Sequence, residues 1–83
     1  MSDTITMYGT STCSDCTRSK RLLDSMGVAY DYIDLDADEK AAETAMKISG
    51  RTSTPLIVFP DGTHVVEPTD AELRAKVESI ASA

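Results

Sequence analysis

At 83 residues, with 41% apolar and 27% charged side chains, the chain has the balance of a globular protein and room for one domain of short elements. Its formal charge of −6 excludes the basic stripe that nucleic-acid or anionic-membrane binding requires. Met1-Ser2-Asp3-Thr4 carries no basic leader pattern and opens no apolar span of roughly 18 residues, so the expectation is a single cytoplasmic domain over residues 1–83.

Thr4 to Tyr8 alternates β-branched and aromatic residues and predicts a first strand, broken by Gly9 to Thr12. From Cys13 to Met26, Cys16, Leu22, Leu23 and Met26 recur at near-helical spacing, while Arg18, Lys20 and Arg21 take other faces and Gly27 supplies the stop. Ala29 to Leu35 alternates again, with Tyr30, Tyr32 and Asp34 on one side and Ala29, Ile33 and Leu35 on the other, as a second strand. Asp36 and Glu39 predict a capping pair for a second helix whose inner face is Ala41, Ala42, Ala45, Met46 and Ile48 and which ends at Ser49-Gly50. Leu56 to Phe59 is apolar and too short for a helix, and the turn Pro60-Asp61-Gly62-Thr63 returns the chain through His64 to Glu67 as a hairpin. Thr69 and Glu72 form a capping box for a last helix carried by Ala71, Leu73, Val77, Ile80 and Ala81. The order βαβαββα predicts an α/β fold with a small mixed sheet, its first two strands parallel through a right-handed crossover and the closing hairpin antiparallel.

The two cysteines stand as Cys13-Ser14-Asp15-Cys16, where the first strand gives way to the first helix. Two intervening residues span one helical turn, so both sulfurs meet at the helix start and can exchange disulfides with one another. A structural staple closing so short a loop would remove little unfolded-state entropy, and a reducing compartment favours chemistry over stapling. Unpaired N–H groups and the helix dipole lower the pKa of Cys13 and make it the nucleophile, with Cys16 one turn inward as the resolving thiol. Asp15 opposes this: a carboxylate roughly 6–8 Å away raises the Cys13 pKa by up to about one unit, unless it serves only to stabilise the first turn or is offset by Arg18, Lys20 and Arg21.

Three stretches carry a resemblance: Ile5 to Cys16, Arg51-Thr52-Ser53-Thr54-Pro55-Leu56-Ile57-Val58-Phe59, and Asp61-Gly62-Thr63. Through them, and over nearly its whole length, the chain resembles the glutaredoxin-type members of the thioredoxin fold, and among these most resembles the mycoredoxins of actinobacteria. The resemblance implies a dithiol thiol-disulfide oxidoreductase with Cys13 and Cys16 catalytic and Pro55 cis beside them. It also implies Thr12, Arg51, Thr54, Pro55, Thr69 and Asp70 at the thiol substrate. No tightly bound cofactor or metal is implied. It implies a low-molecular-weight thiol, mycothiol or glutathione, as reductant, with an upstream thiol-disulfide reductase, mixed-disulfide protein substrates and a monomeric state.

Two departures bear on the thiol. Glutathione-using members carry a glycine pair and an acidic residue before the last helix, where this chain reads Val66-Glu67-Pro68-Thr69-Asp70, and a proline-containing segment there is a mycoredoxin feature. Both groups usually place an aromatic between the cysteines, where this chain has Ser14-Asp15. The alternatives are a glutathione-linked glutaredoxin and an electron donor to ribonucleotide reductase, whose family carries a Trp-Ser-Gly-Phe stretch absent from a chain with no tryptophan. A metal-binding module using the cysteine pair is the alternative of another class, although one pair lacks the four ligands of a closed site. Arg51 is weighed between a substrate carboxylate, which mycothiol lacks, and plain surface charge. His64 reads as a surface strand residue, Tyr8, Tyr30 and Tyr32 as strand packing, and the methionines as core filler.

Overall fold

The computed structural model describes residues 4–51 and 53–81, so expectations on Met1, Ser2, Asp3 and Thr52, and on the side chain of Ala81, lie outside the described residues. The elements follow the expected order: β1 (Ile5–Gly9), α1 (Ser14–Ser25), β2 (Tyr30–Asp34), α2 (Glu39–Ser49), β3 (Leu56–Val58), β4 (His64–Val66) and α3 (Asp70–Ala81). The sheet order is β2-β1-β3-β4. β1 runs parallel to β2, with Met7 opposite Tyr32, and antiparallel to β3, with Met7 opposite Ile57; β4 closes the hairpin with Val65 opposite Ile57.

Alternation along the strands divides the core in two. Ile5, Met7, Ile57 and Phe59 face the side covered by Leu22 and Leu23 of α1 and Leu73 and Val77 of α3. Tyr8 and Leu56 face the other side, against Ala41 and Ala45 of α2. Leu23 and Leu73 are wholly buried, and burial of such a side chain stabilises the fold by about 1.5–3 kcal/mol. The small alanines of α2 let that helix lie close to the sheet.

Several local expectations need correction. Gly9 belongs to β1 and pairs with Asp34, so the strand runs up to the loop that carries the thiols. Cys13 is not a helical residue but the N-cap of α1. The cap of α2 is Asp38, whose carboxylate accepts from Ala41 N–H at 3.1 Å, whereas the expected cap, Asp36, lies outside the helix and donates its own N–H to Asp34. Ala42 and Met46 are exposed, because the face of α2 that packs on the sheet is carried by Ala41 and Ala45; Met46 is left 41% open. On α3, Ala71 is likewise exposed. On α1 the buried row is Cys16, Ser19, Leu22 and Leu23. Ser19 escaped a pattern based on apolar residues, and its hydroxyl has no hydrogen-bond partner among the described residues. No helix of the described residues is long and apolar enough to cross a membrane.

Candidate active site

An extended residue just before a helix folds its side chain back over the first turn, where serine or aspartate oxygens usually satisfy an orphan N–H. In this chain a sulfur does so: Cys13, at φ −87° and ψ 111°, accepts from Cys16 N–H at 3.2 Å. The same Sγ reaches the carbonyl oxygen of Thr54 at 3.7 Å, across 41 residues of sequence. Pro55 follows in a cis peptide bond, as the resemblance implies, and is buried. Partial burial pushes the Cys13 thiol up, yet hydrogen bonds involving Cys16, Thr54 and the Asp15 backbone outweigh it and hold the thiol below its ordinary value of 9.0.

Cys16 is the opposite case. It is 1% exposed, and burial, followed by its hydrogen bond with Cys13, pushes its thiol up to about 11. At neutral pH the Cys16 thiol is therefore protonated. The pair thus comprises an accessible thiol tuned to ionise and an enclosed one tuned to stay protonated.

The packing behind Cys16 depends on Gly9, which the sequence marked only as a strand breaker. A Cβ at Gly9 would lie 2.8 Å from Cys16 Sγ and 3.0 Å from the Tyr32 hydroxyl, so glycine is required by close approach at this point. Tyr32 in turn carries Lys20 Nζ 4.0 Å above its ring, a cation–π contact. Burial first, and then the charges of Cys16 and Asp34, raise the pKa of the Tyr32 phenol.

The remaining expected site residues divide into two groups. Arg51 and Thr54 line a cavity of about 270 Å³ together with Thr10, Asp36 and Ser53, adjoining the carbonyl that touches Cys13. Thr69 and Asp70 stand at the start of α3 with their side chains already engaged. The Thr69 hydroxyl accepts from Glu72 N–H at 3.1 Å, and Glu72 accepts from Thr69 N–H at 3.2 Å, completing the expected capping box. Asp70 pairs with Arg18 Nε at 3.1 Å. Thr12 is exposed in the loop before Cys13.

Of the readings open for Asp15, the structure shows the offset by Arg18: the carboxylate is paired with Arg18 at 3.5 Å, and the Asp15 backbone helps to lower the Cys13 value. His64 is exposed on β4. Among the described residues no group of three or more His, Cys, Asp or Glu side chains is arranged to hold a metal ion.

Comparison with known proteins agrees with this geometry. The family model described as Glutaredoxin matches residues 5–65. Mycoredoxin 1 of Corynebacterium glutamicum is 38% identical over 78 residues, covering 93% of this chain and 96% of that protein. Glutaredoxin 3 of Escherichia coli is 38% identical over 61 residues, covering 74% of this chain and 72% of that one. The crystal structure of a glutaredoxin from Archaeoglobus fulgidus superposes with a TM-score of 0.78 at 30% identity, over 100% of this chain and 89% of that one.

Proposed function

The chain belongs to the glutaredoxin family of thiol-disulfide oxidoreductases, and from that premise we propose that it reduces mixed disulfides between mycothiol and proteins. The observation that carries the chemistry is the Cys13 sulfur at the α1 cap, with the Cys16 N–H at 3.2 Å and the Thr54 carbonyl at 3.7 Å. The Cys13 thiolate attacks the mycothiol sulfur of the mixed disulfide, forms a new S–S bond and releases the protein thiolate. A second mycothiol thiolate then attacks the Cys13-bound mycothiol sulfur, yielding mycothiol disulfide and free Cys13. An upstream thiol-disulfide reductase restores the small thiol.

The alternative second step is attack by Cys16 on Cys13, which releases mycothiol and leaves a Cys13–Cys16 disulfide. Burial, the main reason for the high Cys16 pKa, persists after Cys13 has reacted, and this makes the external thiol the faster route when it is abundant. In this reading Thr12, Arg51, Thr54, Pro55, Thr69 and Asp70 hold the thiol substrate. The protein acts as one cytoplasmic domain over residues 1–83 and as a monomer, with no tightly bound cofactor.

Two observations support mycothiol over glutathione. Arg51 shares its cavity wall with the carboxylate of Asp36, beside Thr10, Ser53, Thr54 and an apolar side of Leu35, Ala45 and Met46, so an anionic group of the thiol would meet a cation already matched by an anion. Glu67 and Pro68 occupy the place of the glycine pair, and a side chain there hinders the close backbone approach that glycine permits.

The test is a coupled assay on one mixed-disulfide substrate with each thiol and its own reductase. Faster turnover with mycothiol is expected, abolished by Cys13→Ser and retained in Cys16→Ser. Equal or faster turnover with glutathione would refute the choice of thiol.

A further inference from the structure

Arg18 reads in the sequence as one of several cations on a polar helix face, yet each of its three guanidinium nitrogens has a different partner. Nη1 meets the Asp15 carboxylate at 3.5 Å, Nε meets the Asp70 carboxylate at 3.1 Å, and Nη2 donates to the Pro68 carbonyl at 3.2 Å. These partners belong to the cysteine motif, the start of α3 and the loop between β4 and α3. The side chains of Arg18, Asp15 and Asp70 are about half exposed, so such pairs contribute little to stability. What the fork supplies is orientation.

The contacts form a ring around the thiols. Cys13 Sγ approaches the Thr54 carbonyl, the neighbouring Pro55 carbonyl accepts Glu67 N–H at 3.0 Å, and the carbonyl of Pro68, the residue after Glu67, accepts Arg18 on the helix that holds both cysteines. We propose that Arg18 is a positioning residue for the thiol chemistry: it turns the Asp15 carboxylate away from Cys13 and closes this ring by fastening the Pro68 loop to the thiol helix. The inference rests on Cys13 being the nucleophile.

The ionisable groups that the elements bring to this end of the molecule are Asp15, Cys16 and Arg18 on α1, Tyr32 and Asp34 on β2, Asp36 after it, Arg51 before β3 and Asp70 on α3. Of these, Asp15 is the anion nearest in sequence to Cys13, and Arg18 is the cation bonded to it. Removing Arg18 therefore takes away a positive charge and leaves two carboxylates, Asp15 and Asp70, unmatched at the same place.

The experiment follows iodoacetamide alkylation of the reduced protein against pH at low salt, with the labelled cysteine mapped by mass spectrometry. Arg18→Ala should move the midpoint of Cys13 alkylation upward by about 0.5–1 pH unit, which lowers the rate at neutral pH about three- to tenfold while leaving the high-pH limit unchanged. Arg18→Lys, which keeps the charge but not the fork, should fall between the two. Arg18→Ala combined with Asp15→Asn should return the midpoint part of the way to the wild-type position, with Asp70 the carboxylate still unmatched, an outcome that general loosening of the fold would not produce. A wild-type midpoint in Arg18→Ala, or a double variant shifted as far as the single one, overturns the inference alone. Label found on Cys16 in the wild-type protein overturns the nucleophile assignment and this inference with it.

Discussion

Replacing Gly9 by alanine adds one methyl group at the most crowded point behind the thiols. The new Cβ would stand 2.8 Å from Cys16 Sγ, 3.0 Å from the Tyr32 hydroxyl and 3.1 Å from a Tyr32 ring carbon, where contact atoms normally settle about 3.5–4.0 Å apart. Tyr32 can give way only by carrying its ring out from under Lys20. Cys16 can give way only by shifting a buried sulfur whose backbone N–H is bonded to Cys13. Overpacking of this kind typically costs about 1–3 kcal/mol. For a chain of this size each kcal/mol lowers the midpoint by about 4–8 °C, so a fall of roughly 5–20 °C is expected. Thermal or urea unfolding of the reduced protein measures it. The displaced Cys16 should also close the disulfide with Cys13 more slowly, which a stopped-flow oxidation experiment reads. If Gly9→Ala unfolds at the wild-type midpoint and closes its disulfide at the wild-type rate, the close packing assigned to Gly9 is refuted.

Glu67 holds a left-handed backbone at φ 49°, which disfavours a side chain by roughly 1–2 kcal/mol, while glycine adds about 0.5–1 kcal/mol of lost chain entropy. The difference predicts that Glu67→Gly stabilises the protein by about 0.5–1 kcal/mol in urea unfolding, and a destabilised variant would contradict it. The Asp61 carboxyl is held down to about 2, first by the Thr63 hydroxyl and N–H and then by Lys76. Because its folded value lies below the unfolded one, the contribution is full above about pH 4 and is lost as the pH falls through about 2. Thr63→Ala should raise the Asp61 titration midpoint followed by NMR, and an unmoved midpoint would remove Thr63 as its main cause.

What the sequence determined by itself is local. The spacing of Cys13 and Cys16 is one helical turn wherever it occurs, and the Thr69–Glu72 box is complete within four residues. Strand alternation set which face each side chain would take, so Tyr30 and Tyr32 part from Ile33 and Leu35 to opposite cores as expected. Even local signals failed where two candidates stood close together: Asp36 and Asp38 are both plausible caps, and only the completed helix shows that Asp38 begins it. The exposure of Ala42 and Met46 was undecidable for a related reason, since periodicity marks a stripe but not how wide a groove will receive it.

Tertiary structure decided everything that joins distant segments. The Thr54 carbonyl reaches Cys13 over 41 residues, and Arg18 reaches Pro68 over 50. Gly9 is required not by its own backbone but by a sulfur and a phenol brought there from α1 and β2. Asp15, a repelling charge when taken with Cys13 alone, is matched by a guanidinium that also binds the start of α3. Periodicity and capping arise from interactions within a few residues, whereas these contacts depend on the strand order β2-β1-β3-β4 and on which helix covers which face.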